Sequence, residues 1–179
     1  MIEECNAVEI ISLFRSKGIQ IYLDGGWGVD ALVGFESRVH NDIDIFIEQR
    51  NKERAIKLLK NNGYTETVME YTTLDHTVWQ DDKEKIIDLH IFSRNNNGDL
   101  VFEGDTFPKE AFSGKGRIGN LEVDCITPEW QVRFHSGYQL DDNDLKDILM
   151  LCNKFDLAVP DEISQNFSID KWKKGNMII

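Results

Sequence analysis

The chain has 179 residues, enough for one compact domain that buries about two-thirds of its unfolded surface without staples. Its 41% hydrophobic and 29% charged residues exclude a disordered or low-complexity chain. With 20 basic against 32 acidic residues the formal charge is −12, which argues against nucleic acid as the main substrate and favours metal cations and cationic small molecules.

Taken in chain order, residues 7–17 place Val8, Ile11 and Phe14 at near-helical spacing with Gly18 just beyond, and so predict an amphipathic helix. A strand is expected over 19–24. The run Asp24-Gly25-Gly26-Trp27-Gly28 should break it and open onto a short helix over 29–33 that stops at Gly34. Isoleucines at 43, 45 and 47 alternate through 42–48 as a half-buried strand requires. A helix over 52–62 follows, capped by Asn51, with Ile56 and Leu59 buried. Three β-rich runs come next, at 65–71, 74–80 and 85–92. Residues 94–120 read as loops with short strands, and 121–126 as a strand. Thr127-Pro128-Glu129 starts a helix to about Ser136, and a second over 142–155 puts Leu145, Ile148, Leu149 and Cys152 on one face. The tail from 161 is polar and weakly patterned. The expected fold class is α+β, a mixed sheet flanked by helices, with a core over 1–126 and a helical C-terminal part over 127–179.

Cys5, Cys125 and Cys152 are odd in number and far apart, so reduced, structural cysteines are expected. There is no leader-like start and no apolar run of about 20 residues. These features read as a cytoplasmic protein.

The residues that carry chemistry begin with Arg38-Val39-His40-Asn41-Asp42-Ile43-Asp44, in which strand alternation sets His40, Asp42 and Asp44 on one face. Two unpaired carboxylates at about 4 Å repel by about 4 kcal/mol at an effective dielectric of 20, a cost that a divalent cation removes. Magnesium suits such a site because it takes few carboxylates and completes its shell with water and phosphates. An isolated D-x-D is equally the solvated face of an edge strand, so its neighbours matter. Upstream, Gly25 and Gly26 lie between a strand and a helix, where free N–H groups can hold a phosphate. They match neither a dinucleotide fingerprint, since Ala31 replaces the third glycine, nor a P-loop. Downstream, Asp88 interrupts the apolar run Ile86-Ile87-Asp88-Leu89-His90-Ile91 and shares a face with His90. A carboxylate there is costly unless paired or metal-bound. Asp88 is therefore a candidate third ligand or general base.

A glycine turn, a D-x-D strand and a later acidic residue together resemble the DNA polymerase β-like nucleotidyltransferase superfamily. Fifteen residues separate Gly26 from Asp42, more than is usual there. The run 22–32 (YLDGGWGVDAL), with Arg38-x-His40-x-Asp42-Ile43-Asp44, instead resembles the lincosamide nucleotidyltransferases and the related aminoglycoside 2″-nucleotidyltransferases. Asp88-Leu89-His90 is similar to their third-carboxylate segment, and residues 131–138 with the helix of Asp144 and Asp147 to the C-terminal segment of the lincosamide enzymes. The likeness spans about 20–155 and leaves 161–179 uncovered.

The resemblance implies that Asp42 and Asp44 bind two magnesium ions, with Asp88 as third ligand or base. It also implies that Gly25, Gly26, Arg38 and His40 handle the triphosphate of ATP or another nucleoside triphosphate. The alternative for His40 and His90 is that they only support the carboxylates; His135 and Tyr138 either approach the nucleotide or pack the helices; Trp27 is expected to pack. The implied reaction transfers a nucleoside monophosphate to a hydroxyl of a lincosamide, with an aminoglycoside as the next acceptor and a protein-modifying or inert nucleotide-binding member as other readings. A homodimer is implied, and no nucleic-acid or membrane partner.

Overall fold

The computed structural model describes residues 1–135 and 140–166. Helix α1 (Glu4–Ser16) opens on a reciprocal capping box in which the Glu3 N–H donates to the Asn6 side chain at 3.2 Å. That cap starts the helix ahead of the residue-7 start expected from apolar spacing. Ala7, Ile10, Ile11 and Phe14 face the core. Strand β1 (Ile21–Asp24) then passes directly into α2 (Gly25–Val33). The glycines are thus the first turn of this helix and not a break before one at Val29. Gly25 takes φ +56°, and a Cβ there would collide with the Asp44 carboxylate. Only glycine allows strand to become helix so close to that group.

Strand β2 (Asp42–Glu48) and helix α3 (Lys52–Asn61) lie where expected. Strands β3 (Thr65–Thr67) and β4 (His76–Gln80) are shorter than their β-rich runs. The segment between them turns on hydrogen bonds such as Thr72 N–H to the Met69 carbonyl, and leaves Val68, Met69, Tyr71 and Leu74 exposed. Strand β5 (Ile86–Arg94) is the long central strand. The stretch read as loops with short strands resolves into a hairpin of β6 (Leu100–Phe102) and β7 (Asp105–Phe107), then β8 (Gly114–Ile118), which forms a second hairpin with β9 (Leu121–Cys125). Helices α4 (Pro128–Phe134), α5 (Asp142–Phe155) and α6 (Asp161–Asn166) follow. The last lies in the tail expected to be weakly patterned. Thr127 and Pro128 start α4 as expected, and Asp141 caps α5 by accepting from the N–H groups of Asn143 and Asp144. Tyr138 lies outside the described residues.

The main sheet runs β3-β4-β5-β2-β1-β9-β8, with β6 and β7 attached to β5. It is mixed: β2 is parallel to β5 and β1 to β9, while the other neighbours are antiparallel. The α+β expectation is met. One face carries Ile43, Ile45, Ile47, Ile87 and Leu89 into the principal core, against apolar residues of α1, α2, α3 and α5. On the alternate positions, Tyr22, Phe46 and Phe92 join Leu100, Phe112 and Ile126 in a second, aromatic cluster. The three cysteines are free, Cys125 and Cys152 being buried. Among the described residues no helix is long and apolar enough to cross a membrane.

Candidate active site

Strands β1, β2 and β5 lie side by side, so their register decides which side chains meet. Asp24 pairs with Asp44, and Asp44 with Asp88. With neighbouring strands about 4.8 Å apart, three carboxylates form a row across the sheet, and Asp42 lies one step along β2 on the same face. All four are half-buried. Burial pushes the Asp42 carboxyl up to about 6, and the charges of Asp44 and Asp88 add to the rise. Asp24 is raised in the same way, by burial and then by Asp44, and its Oδ1 has no hydrogen-bond partner among the described residues. Crowded, partly desolvated carboxylates with unsatisfied oxygen are what a hard divalent cation neutralises, so this donor set fits magnesium.

Two imidazoles flank the row. His90 Nε2 lies 3.8 Å from Asp44 Oδ1 and 3.9 Å from Asp88 Oδ1. Burial alone would lower the His90 pKa, but the Asp44 interaction and the charges of Asp44, Asp88 and Asp24 raise it. His76 Nε2 is 2.6 Å from Asp88 Oδ1. Sequence reasoning missed this residue, because its partner is set by pairing: β4 lies antiparallel to β5 with His76 opposite His90, which puts Asp88 on the diagonal. Asp24 was missed as well. Its alternation with the buried Leu23 carried the signal, but only the β1–β2 register shows that it faces Asp44.

The glycine turn lies beside this row. A Cβ on Gly26 would overlap the His40 ring and the Arg38 guanidinium, so both side chains close on the turn. Because β2 begins only at Asp42, His40 does not continue the strand face of the aspartates as expected. Its Nε2 instead lies 2.6 Å from Asp30 Oδ2, both residues being about 2% exposed. Its ring packs on Trp27 with centroids 4.7 Å apart, and Trp27 is buried as expected. Arg38 donates to Asp147 Oδ2 of α5 at 2.8 Å. Burial works against the charged guanidinium, but the bond to Asp147 and its charge raise the Arg38 pKa. For Asp147, burial outweighs the pull of Arg38 and holds the carboxyl above its ordinary value. An aspartate among apolar neighbours, such as Asp30 in α2 and Asp147 in α5, is the sequence signal for such buried partners. His135 is bonded through Nδ1 to the Gln131 carbonyl at 2.7 Å, a packing position at the end of α4.

Beyond His90 the same face opens into a cavity of about 380 Å³, lined by Asp24, Phe46, Phe102, Phe107 and Phe134, with Glu103, Asp105 and Arg133 contributing charge. The carboxylate row thus has a glycine turn with a cation on one side and an aromatic cavity on the other. A larger cleft of about 750 Å³ between α2 and the β8–β9 hairpin shares no residue with the row.

The chain has known relatives. A family model described as aminoglycoside-2″-adenylyltransferase matches residues 6–151. A lincosamide resistance protein of Staphylococcus haemolyticus is 30% identical over 149 residues, covering 78% of this chain and 88% of that protein. The chain belongs to the aminoglycoside-2″-adenylyltransferase family. As a member of that family it is a nucleotidyltransferase of the antibiotic-modifying type. A crystal structure of the lincosamide antibiotic adenylyltransferase LnuA with lincomycin bound superposes with a TM-score of 0.74 at 31% identity, covering 84% of this chain and 96% of that one. The structure of ANT(2″)-Ia in complex with adenylyl-2″-tobramycin has a TM-score of 0.69 at 15% identity, over 85% and 88% of the two chains, and shares the fold.

Proposed function

We propose that this member of the family transfers a nucleoside monophosphate from a magnesium-bound nucleoside triphosphate, ATP or another, to a hydroxyl group of a lincosamide. The observation that carries this reading is the row Asp24, Asp44 and Asp88, with Asp42 beside it, lying between the Gly25-Gly26 turn and the aromatic cavity. Four aromatic side chains, Phe46, Phe102, Phe107 and Phe134, give the cavity an apolar wall for the acceptor, beside the carboxylates of Asp24, Glu103 and Asp105. The lincosamide relatives are also twice as similar in sequence as the aminoglycoside enzyme, 31% against 15%.

In the proposed reaction Asp42 and Asp44 would hold magnesium ions, two by this reading, with Asp88 as third ligand or as base; when bound, the ions would supply charge stabilisation to the entering and leaving oxygens. The chain's own groups do the rest. The N–H groups at the start of α2 face the triphosphate, where the helix dipole favours negative charge. Arg38, steered by Asp147, and His40, steered by Asp30, close on the same turn. The acceptor lies in the aromatic cavity, on the other side of the row from the pyrophosphate, as in-line displacement requires. Its hydroxyl oxygen bonds to the α-phosphorus, pyrophosphate leaves, and the hydroxyl proton passes to Asp88. His76 and His90 keep that carboxylate oriented.

The protein works as a homodimer in this proposal, supported by the exposed apolar side chains Val68, Met69, Tyr71 and Leu74 close to the site; the Tyr71 and His76 ring centroids are 5.0 Å apart. A reaction that consumes a nucleoside triphosphate places it in the cytoplasm. Incubation with radiolabelled ATP, magnesium and a panel of lincosamides and aminoglycosides tests the reading. Label on a lincosamide is the expected result. Label only on an aminoglycoside moves the acceptor to that class, label only on protein moves it to a protein hydroxyl, and no transfer with any triphosphate removes the proposal.

A further inference from the structure

His76, Asp88 and His90 each offer one ligand atom, and the three atoms lie within 4.8 Å of one another. The donors are two imidazole nitrogens and one carboxylate oxygen, a set that shares Asp88 with the all-carboxylate group of Asp42, Asp44 and Asp88 but differs from it in its nitrogen ligands. Tetrahedral zinc, with bonds of about 2.0–2.1 Å, needs ligand atoms about 3.4 Å apart. The separations here are 2.6 Å from His76 Nε2 to Asp88 Oδ1 and 3.9 Å from His90 Nε2 to Asp88 Oδ1, so they bracket that value and small side-chain rotations reach it. Asp44 Oδ1, at 3.8 Å from His90 Nε2, stands where a fourth ligand is wanted. We infer that His76, Asp88 and His90 form a binding site for a borderline-soft divalent cation, zinc above all, that adjoins the magnesium group, draws on its Asp44 and Asp88 carboxylates, and is inhibitory when filled.

The chemistry separates the two metals. Imidazole nitrogen suits zinc and gives magnesium little, since magnesium takes oxygen ligands and dehydrates reluctantly. Affinity for mixed nitrogen and oxygen sites also rises along the first transition series towards copper and zinc. The site is one that zinc enters and leaves, rather than one that keeps it. Metal-bound histidines in permanent centres usually donate their second N–H to a carboxylate or carbonyl. Here His90 Nδ1 is buried with no hydrogen-bond partner among the described residues. Zinc bound through Asp88 takes up the carboxylate oxygen that the transfer reaction needs as proton acceptor. Binding is independent of the proposed reaction, whereas the inhibitory consequence rests on it.

The protein has four histidines, so the site can be counted directly. Histidine-¹⁵N-labelled protein is titrated with zinc chloride under excess magnesium, and the ring resonances are followed by long-range proton–nitrogen spectra. Two of the four rings are expected to change, with the same two changing in Asp42→Asn. Competition against a chromophoric chelator should show the zinc Kd rising at least about 10-fold in His76→Gln or His90→Gln, since even losses in the outer shell cost about 10- to 100-fold. The count of perturbed rings in the unsubstituted protein needs no variant to fold. Unchanged rings, changes confined to His40 and His135, or a zinc signal lost in Asp42→Asn would each overturn the site and leave the transfer reading standing. Zinc on His76 and His90 with undiminished nucleotidyl transfer would uphold the site but overturn the role given to Asp88.

Discussion

Each of the clustered carboxylates has its own energetic position. Burial and two neighbouring charges push Asp42 up to about 6. In the metal-free native protein Asp42 therefore keeps a proton over a range where the unfolded chain, with its ordinary carboxyl near 3.8, has released it. The stability this group contributes is fully present below the unfolded value and is lost as pH rises towards about 6. Asp42→Asn removes that dependence. In chelator at pH 7 the variant should be more stable than the parent, by on the order of 3 kcal/mol, and the two should converge near pH 4, as read by urea denaturation. The same variant, or Asp44→Asn, should reduce nucleotidyl transfer to background at saturating magnesium. Near-normal turnover by either would remove them as metal ligands. Asp88 is separable from this pair. If it accepts the proton, Asp88→Asn lowers kcat by about 10²- to 10⁴-fold with magnesium–nucleotide affinity nearly unchanged. A parallel loss of nucleotide affinity identifies it as mainly a ligand, and parental kcat with parental affinity takes it out of the site.

At the scale of elements, the site depends on how α2 and α5 meet. Helix α2 begins against Asp44, and α5 reaches across to the glycine turn through the Asp147–Arg38 pair. Side chains from residues 109 positions apart in sequence thereby meet beside the glycine turn. Asp147→Asn keeps a hydrogen-bond acceptor for Arg38 but removes its charge partner. The expected result is a several-fold rise in KM for the nucleotide, with a smaller change in kcat, because in the proposed reaction the guanidinium positions the triphosphate and does not touch the acceptor. Arg38→Ala and Asp147→Asn should then be non-additive when combined. Additive effects in the double variant would show that α5 does not act through Arg38. Helix boundaries in this region were only partly legible. The apolar run 29–33 marked the body of α2, but its first turn is made of glycines, which carry low helix propensity. Packing of the turn on Asp44, Arg38 and His40 overrides that propensity, and no local signal reports the override.

For the whole molecule, the net charge of −12 and the carboxylate row on one sheet face set what can approach. Duplex or single-stranded nucleic acid should neither accept a nucleotide nor bind with sub-micromolar affinity at about 0.15 M salt, where the screening length is about 8 Å; binding isotherms decide this. The exposed apolar segment at Val68, Met69, Tyr71 and Leu74 leads to the expectation of a dimer mass by light scattering. The variant Leu74→Lys, which changes the most exposed of these side chains, should shift the mass towards the monomer. A monomer mass for the unsubstituted chain over a wide concentration range would reject the dimer.

What the sequence determined by itself was the local grammar. Alternation through 42–48 put Asp42 and Asp44 on one face, the Thr-Pro start placed α4, and a charged residue in an apolar strand singled out Asp88. Each of these follows from side-chain period or backbone chemistry within a few residues. Tertiary structure alone decided the partners. The register of β1 on β2 brought Asp24 to Asp44, the pairing of β4 with β5 brought His76 to Asp88, and helix packing gave Arg38 and His40 their buried acids. A one-residue slip in any of these strands would send the same side chains to the opposite face, and the hydrophobic pattern of one strand does not say which neighbour it will meet.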